Sequence, residues 1–264
     1  MRTTEPAIEQ SRRFGVRPIP LLRPLGWLAR GWQDLVHAPL PGLAHGVAMA
    51  LFGAVLAVLA QGHVWLLAGA FSGFLLVAPL LATGLYAVSR ALHNKRQPAT
   101  LATALRAWKP EDGRLIVFGL LLAFAGTGWV MTSTSFILAF APGAVHTPQD
   151  FLRHVVLADE GRLFESWLLL GGVLAAPVFA SSVVALPMLL DRRVGVLVAV
   201  LTSWRVVMQH PLPLALWAAL IMALTLLGMA TLLLGLIVVV PWLGHSSWHA
   251  YRDLVDTSQW HEMP

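Results

Sequence analysis

The chain is 264 residues long, 57% hydrophobic and 12% charged, with a mean hydropathy of +0.71. That composition excludes an ordinary soluble domain, and the absence of cysteine excludes disulfides, thiolate metal ligands and thiol nucleophiles. The net charge of +5 sits in loops beside apolar segments, so it points to anionic lipid headgroups and away from nucleic acid.

Residues 1–24 read as a basic cytoplasmic segment. They are rich in Arg and Pro and lack the apolar core of about 7 to 15 residues that marks a signal peptide. Four windows then contain no Asp, Glu, Lys or Arg: 35–89, 115–149, 166–190 and 206–251. A bilayer span takes about 20 apolar residues, so the first and last windows can each hold two. We read helices at 43–61, 64–88, 115–140, 166–190, 212–228 and 231–251. Gln61-Gly62-His63 marks the first turn-round. Only Gly228 marks the last, so a single tilted helix over 212–240, giving five spans, is the rival reading.

Charge orients the molecule. Arg2, Arg12, Arg13, Arg17, Arg23 and Arg30 precede the first span, and Arg90, Lys95, Arg96, Arg106, Lys109 and Arg114 separate the second from the third. Arg192, Arg193 and Arg205 separate the fourth from the fifth. The 141–165 loop holds Arg153 and Arg162 against Asp150, Asp159, Glu160 and Glu165. Positive charge collects on the cytoplasmic side, so both termini are expected inside and this loop outside. The location follows: a multi-pass protein of a bacterial inner membrane. Apolar Phe151, Val155 and Leu163 among the loop's charges suggest a helix lying on the outer face, where a partner could dock.

A repeat is visible across the spans. Before the first, third and fifth lie short segments with helical apolar spacing: Leu28, Trp32, Leu35, Val36; Leu101, Ala104, Leu105, Trp108; Leu197, Val200, Leu201, Trp204. Each is followed by a proline (Pro39, Pro110, Pro211), as expected of an amphipathic helix lying in the interface. The second, fourth and sixth spans align on Pro79, Pro177 and Pro241. Four residues on stand Thr83, Ser181 and His245; Tyr86 and Trp248 follow in two copies, then Arg90 and Arg252. The expected fold is an all-α integral membrane domain over 25–254. Its six transmembrane helices form three helical hairpins, each preceded by an interfacial helix, with repeats at about 25–92, 100–190 and 195–254. Residues 255–264 form a cytoplasmic tail. The repeats would be parallel, about an axis along the membrane normal, with Gly69 and Gly73 allowing close helix contact.

The segment "VVVPWLGHSSWHAYRDLV" (238–255) concentrates the side chains of interest. His245 and His249 are one helical turn apart. Zinc needs a third ligand, and neither an HExxH motif nor a carboxylate pair accompanies them; no metal or catalytic residue is assigned. Candidate ligand contacts are Thr83, Ser181, His245 and His249, the first three converging near the pseudo-threefold axis. Arg90, Arg252, Trp248 and Tyr251 are candidates for lipid or anion contact. The plain reading of these groups is interfacial anchoring and hydrogen bonding between helices. A bis-histidine haem needs histidines from two helices, and the other spans offer only His45 and His63.

The motif "PWLGHSSWHAYRDLV" (241–255), the "GWxDLxxxP" elbow at 31–39 and "RFGVRPI" (13–19) resemble uncharacterised bacterial six-span membrane proteins, known as a domain of unknown function. Some members carry labels linking them to cytochrome oxidase. The resemblance implies a respiratory association at most, and it transfers no catalytic residue. The leading expectation is a non-enzymatic inner-membrane protein without a cofactor, an accessory or assembly subunit of a larger complex with other membrane subunits as partners. Two alternatives stand beside it. One is a small-molecule or lipid carrier using Thr83, Ser181 and His245. The other is an electron-transfer subunit contacting haem or quinone through His245 or His249.

Overall fold

The computed structural model describes residues 6–59, 82–94, 98–107, 113–158 and 162–258. The expected turn at 61–63, the Gly69 and Gly73 pair, Pro79, Trp108, Pro110 and most of the 64–88 span lie outside them.

The described chain is helical apart from one clip. Helices α1 (Ala7–Arg12), α2 (Arg23–His37) and α3 (Pro39–Leu59) lead to α4 (Thr83–Asn94), α5 (Leu101–Arg106) and α6 (Arg114–Phe140). A short α7 (Pro148–Phe151) runs into a π-turn, Leu152–Val156, followed by α8 (Leu163–Ser182) and α9 (Ala185–Asp191). Then come α10 (Val196–Gln209), α11 (Pro211–Ala230) and α12 (Leu236–Leu254). Among the described residues four stretches are long and apolar enough to cross a membrane: Pro39–Val58, Arg114–Phe140, Leu163–Asp191 and Pro211–Ala230. Helix α12 is not one of them, because its second half is polar. The class is therefore an all-α integral membrane protein. A two-residue antiparallel pair, β1 (Gly15–Val16) with β2 (Val255–Asp256), ties the N-terminal segment to the end of α12.

Helices α2 and α10 end in a shared device. Ala38 (φ −131°, ψ 65°) and His210 (φ −129°, ψ 54°) hold nearly the same backbone. Each precedes a proline whose ring disfavours the helical conformation one residue earlier. That proline then serves as the first residue of the next helix, where its missing N–H costs nothing. In both cases Trp32 or Trp204 stands seven residues before the proline.

Helices α11 and α12 are separate. Between them Leu232 (φ 53°) and Leu233 (φ 69°) are left-handed, a conformation costing about 1–2 kcal/mol per residue in a β-carbon-bearing amino acid. The turn is held by Thr231, whose hydroxyl donates to Gly228 O (2.9 Å) and accepts from Gly235 N–H (2.8 Å). The single tilted helix over 212–240 is thereby excluded.

Two compact units form. The first takes in Met1–Ala50, Pro79–Phe118 and Ala180–Pro264. In it α12 packs along α2 and α4, and α1 lies on α10. The backbones touch at glycines: a Cβ at Gly31 would fall 2.6 Å from Ser246 N, and one at Gly46 would fall 2.0 Å from Ile237 O. Trp27 meets Trp217 edge-on at 5.5 Å, and the Trp242 indole donates to Leu28 O (2.7 Å).

The second unit takes in Leu51–Ala78 and Gly119–Phe179. Trp167 lies tilted against Trp129 (5.9 Å between ring centres) and donates to Ser133 Oγ (2.8 Å). Loop residues Val145, Val155 and Leu163 are buried with Ile137. Val155, Leu163 and in part Phe151 of the 141–165 loop are thus taken up by the unit's own core. By contrast Phe124, Leu169 and Val173 are exposed, as side chains facing lipid would be.

Candidate functional site

The first unit contains a buried chain of hydrogen bonds that begins on α2. Asp34 lies beside the buried stripe Trp27, Leu28, Gly31 and Leu35, so helical periodicity carries its carboxylate to the edge of the α12 contact. Asp34 Oδ2 accepts from Ser89 Oγ at 2.6 Å and from His249 Nε2 at 2.9 Å. Ser89 Oγ also lies 2.7 Å from His245 Nδ1. Three elements, α2, α4 and α12, meet in this chain.

Proton counting fixes its polarity. A serine hydroxyl has one proton, and Ser89 donates it to Asp34. His245 Nδ1 must then carry a hydrogen and donate to Ser89, which leaves Nε2 as a bare lone pair. His245 is fully buried, and its Nε2 has no hydrogen-bond partner. Opposite stands Gly42 of α3, where an added Cβ would lie 3.7 Å from that nitrogen. His45, also on α3, is close enough to act electrostatically on His245, and its own Nδ1 donates to Pro41 O at 2.8 Å. Burial alone would raise the Asp34 pKa. The hydrogen bonds from His249 and Ser89 outweigh it and hold the carboxyl below its ordinary value.

A carboxylate-backed imidazole with one nitrogen tied off is how proteins present the other nitrogen to a metal or a ligand. Among the described residues no group of three or more His, Cys, Asp or Glu could hold a metal ion. The arrangement therefore suits a single acceptor: a contact for one hydrogen-bond donor, or one axial ligand.

The residues singled out from sequence divide. His245 and His249 come together through Asp34 and Ser89. Thr83 is buried at the beginning of the described part of α4. Ser181 accepts from the Trp204 indole at 2.9 Å. The hydroxyl that meets His245 is Ser89, six residues beyond Thr83. Asp34 and Ser89 were missed. The available signal was Asp34 three residues after Gly31, an acid next to the glycine of an apolar stripe.

Arg90, Arg252 and Tyr251 converge at a second place, the end of α9. Arg90 Nη1 donates to Leu190 O (3.1 Å). Asp191, 1% exposed, accepts from Tyr251 Oη (2.8 Å), with Arg192 Nε at 3.0 Å and Arg252 Nη1 at 3.6 Å. Trp248 and Tyr251 are enclosed (1% and 0% exposed), so neither offers lipid a face. A third cluster lies at the end of α12. There Asp253 accepts from Arg23 Nε (2.6 Å), Trp27 Nε1 (2.8 Å) and Arg30. Burial works to raise its pKa, but these donors outweigh it and bring it down to about 2.

Residues 66–191 match the model of a family described as a predicted integral membrane protein (DUF2189). The match covers slightly less than half of the chain. It ends before the 241–255 motif and begins after the 31–39 elbow, so it rests on other residues than those that carried the resemblance. No curated protein and no solved structure matches the chain.

Proposed function

We propose that this is a non-enzymatic six-span protein of the bacterial inner membrane, with both termini cytoplasmic, that binds a lipid-soluble molecule through His245. The carrying observation is the bare Nε2 of a fully buried imidazole whose other nitrogen is committed, through Ser89, to Asp34. Leaving a buried acceptor unmade costs about 1–3 kcal/mol. A hydroxyl or N–H on the ligand would recover that cost. Leu35 and Pro241 flank Gly42 beside the lone pair, and this largely apolar surrounding favours an uncharged ligand with a single donor, the chemistry of a quinol headgroup. The lone pair looks toward α3, and a ligand would reach it by parting α3 from α12 at Gly42. Six spans and the cytoplasmic termini are supported by the charge-free windows and the placement of Lys and Arg.

The test is an organic extract of the protein taken gently from its native membrane, analysed by mass spectrometry beside a His245→Phe variant. One equivalent of a hydroxyl-bearing, lipid-soluble compound, retained by the wild type and lost from the variant, supports the reading. Identical extracts overturn it. A Soret band present in the wild type and absent from the variant would instead put haem iron on Nε2.

The accessory-subunit role is the second reading. It is favoured by the exposed apolar side chains of the second unit, such as Phe124 and Leu169, which suit a neighbouring membrane helix as well as lipid. A polypeptide co-eluting in fixed ratio would support it.

A further inference from the structure

Among the described residues Asp191 is the one carboxylate at the end of α9 that Arg90 and Arg252 approach, and it does not balance both, so the geometry points to a phosphate group held there by Arg90 and Arg252. Asp191 is enclosed and already engaged, with the Tyr251 hydroxyl at 2.8 Å and Arg192 Nε at 3.0 Å. Arg252 reaches it only at 3.6 Å and Thr257 Oγ1 only at 3.4 Å, and its side chain is 30% exposed. Arg90 is half-buried and spends Nη1 on Leu190 O, a carbonyl that accepts a hydrogen bond without cancelling the charge. The two guanidinium groups come from α4 and α12 and reach consecutive residues, 190 and 191. Arg114 closes on the same stretch, donating to Arg192 O (3.1 Å) and Val194 O (2.6 Å).

Two planar donor forks beside one saturated carboxylate match the oxygens of a phosphate, which arginine binds bidentately. All these arginines lie in segments expected at the cytoplasmic end of their helices, where anionic headgroups gather. The ligand class is therefore a phosphate-bearing anion, supplied by an anionic phospholipid or by a free phosphate.

The test uses the full chain in bilayers and reads thermal unfolding. One arm compares pure phosphatidylcholine with phosphatidylcholine mixed with phosphatidylglycerol. The other compares inorganic phosphate with chloride, at equal ionic strength, in pure phosphatidylcholine. A rise in Tm with phosphatidylglycerol that disappears in the Arg90→Gln/Arg252→Gln double variant assigns a lipid headgroup. A rise with inorganic phosphate that disappears likewise assigns a free phosphate. No rise in either arm, or the same rise in the double variant, overturns the site. If the glutamine pair does not fold, Arg90→Lys/Arg252→Lys keeps the charge and loses the fork. A smaller rise in the lysine pair than in the wild type supports the site, and an undiminished one overturns it.

Discussion

His249 Nε2 stands 2.9 Å from Asp34 Oδ2, across 215 residues of sequence. The contact closes the first unit on itself, joining α2 to α12, and Ser89 at 2.6 Å brings α4 into the same carboxylate. Hydrogen bonds to an ionised oxygen are stronger than those to a neutral one. Asp34→Asn keeps the shape and removes the charge, so it should lower stability by roughly 1–3 kcal/mol. Thermal unfolding in detergent checks this, with the exposed Glu9→Gln as a control that should leave Tm unchanged.

Ser89 is the joint between the acid and the buried imidazole. Ser89→Ala strips a donor from Asp34 and an acceptor from His245 together. Its cost should again be roughly 1–3 kcal/mol. Because Asp34 and Ser89 share one network, their effects should not add. A double-mutant cycle on Tm would read the difference, and strict additivity would mean that the hydrogen-bonded chain does not act as a unit.

Acid should loosen the end of α12. The folded Asp253 carboxyl, held by Arg23, Arg30 and Trp27, titrates at about 2, against about 3.9 for an unfolded aspartate. A depressed folded pKa contributes stability that is fully present above the unfolded value and is lost as pH falls through the folded one. Asp34 is shifted in the same direction. Stability should therefore fall between about pH 4 and pH 2, and Asp253→Asn should flatten that fall while lowering stability at neutral pH. Unfolding midpoints measured across that range decide it; parallel curves for variant and wild type would refute the assignment.

Much of the helical scaffold was legible because apolar windows and prolines act locally. The first span, the span after Arg114 and the helix after His210 fall where the charge-free windows put them. The elbows at Pro39 and Pro211 follow from a proline acting on the residue before it. The polar chain was not legible, since Ser89 and His245 lie 156 residues apart and Ser89 and Asp34 lie 55 apart. The proline register directed attention to Thr83 and Ser181 instead. It could not reveal that α8 ends at Ser182, five residues past Pro177, and that α9 begins anew at Ala185. Nor could it reveal that the Trp204 indole occupies Ser181. A register counts residues along one helix, whereas a hydrogen bond depends on which neighbour is near.

The glycines offer the sharpest contrast. At Gly46 an added methyl would fall 2.0 Å from Ile237 O and 2.6 Å from its Cα, against backbone that cannot swing aside. Gly46→Ala must push α3 away from α12, and overpacking of this kind costs about 1–3 kcal/mol. Gly26 lies in α2 and Gly172 in α8, and a Cβ at either meets nothing within 4 Å. There alanine removes only the entropic penalty of glycine in a helix, and Gly26→Ala or Gly172→Ala should be neutral or raise stability by up to about 1 kcal/mol. The close approach at Gly46 also holds α3 near His245, so Gly46→Ala should change retention of any ligand on Nε2, whereas Gly172→Ala should not. Melting curves and organic extracts of the three variants test both halves. A Gly46→Ala protein as stable as the wild type would mean that α3 and α12 are not in backbone contact.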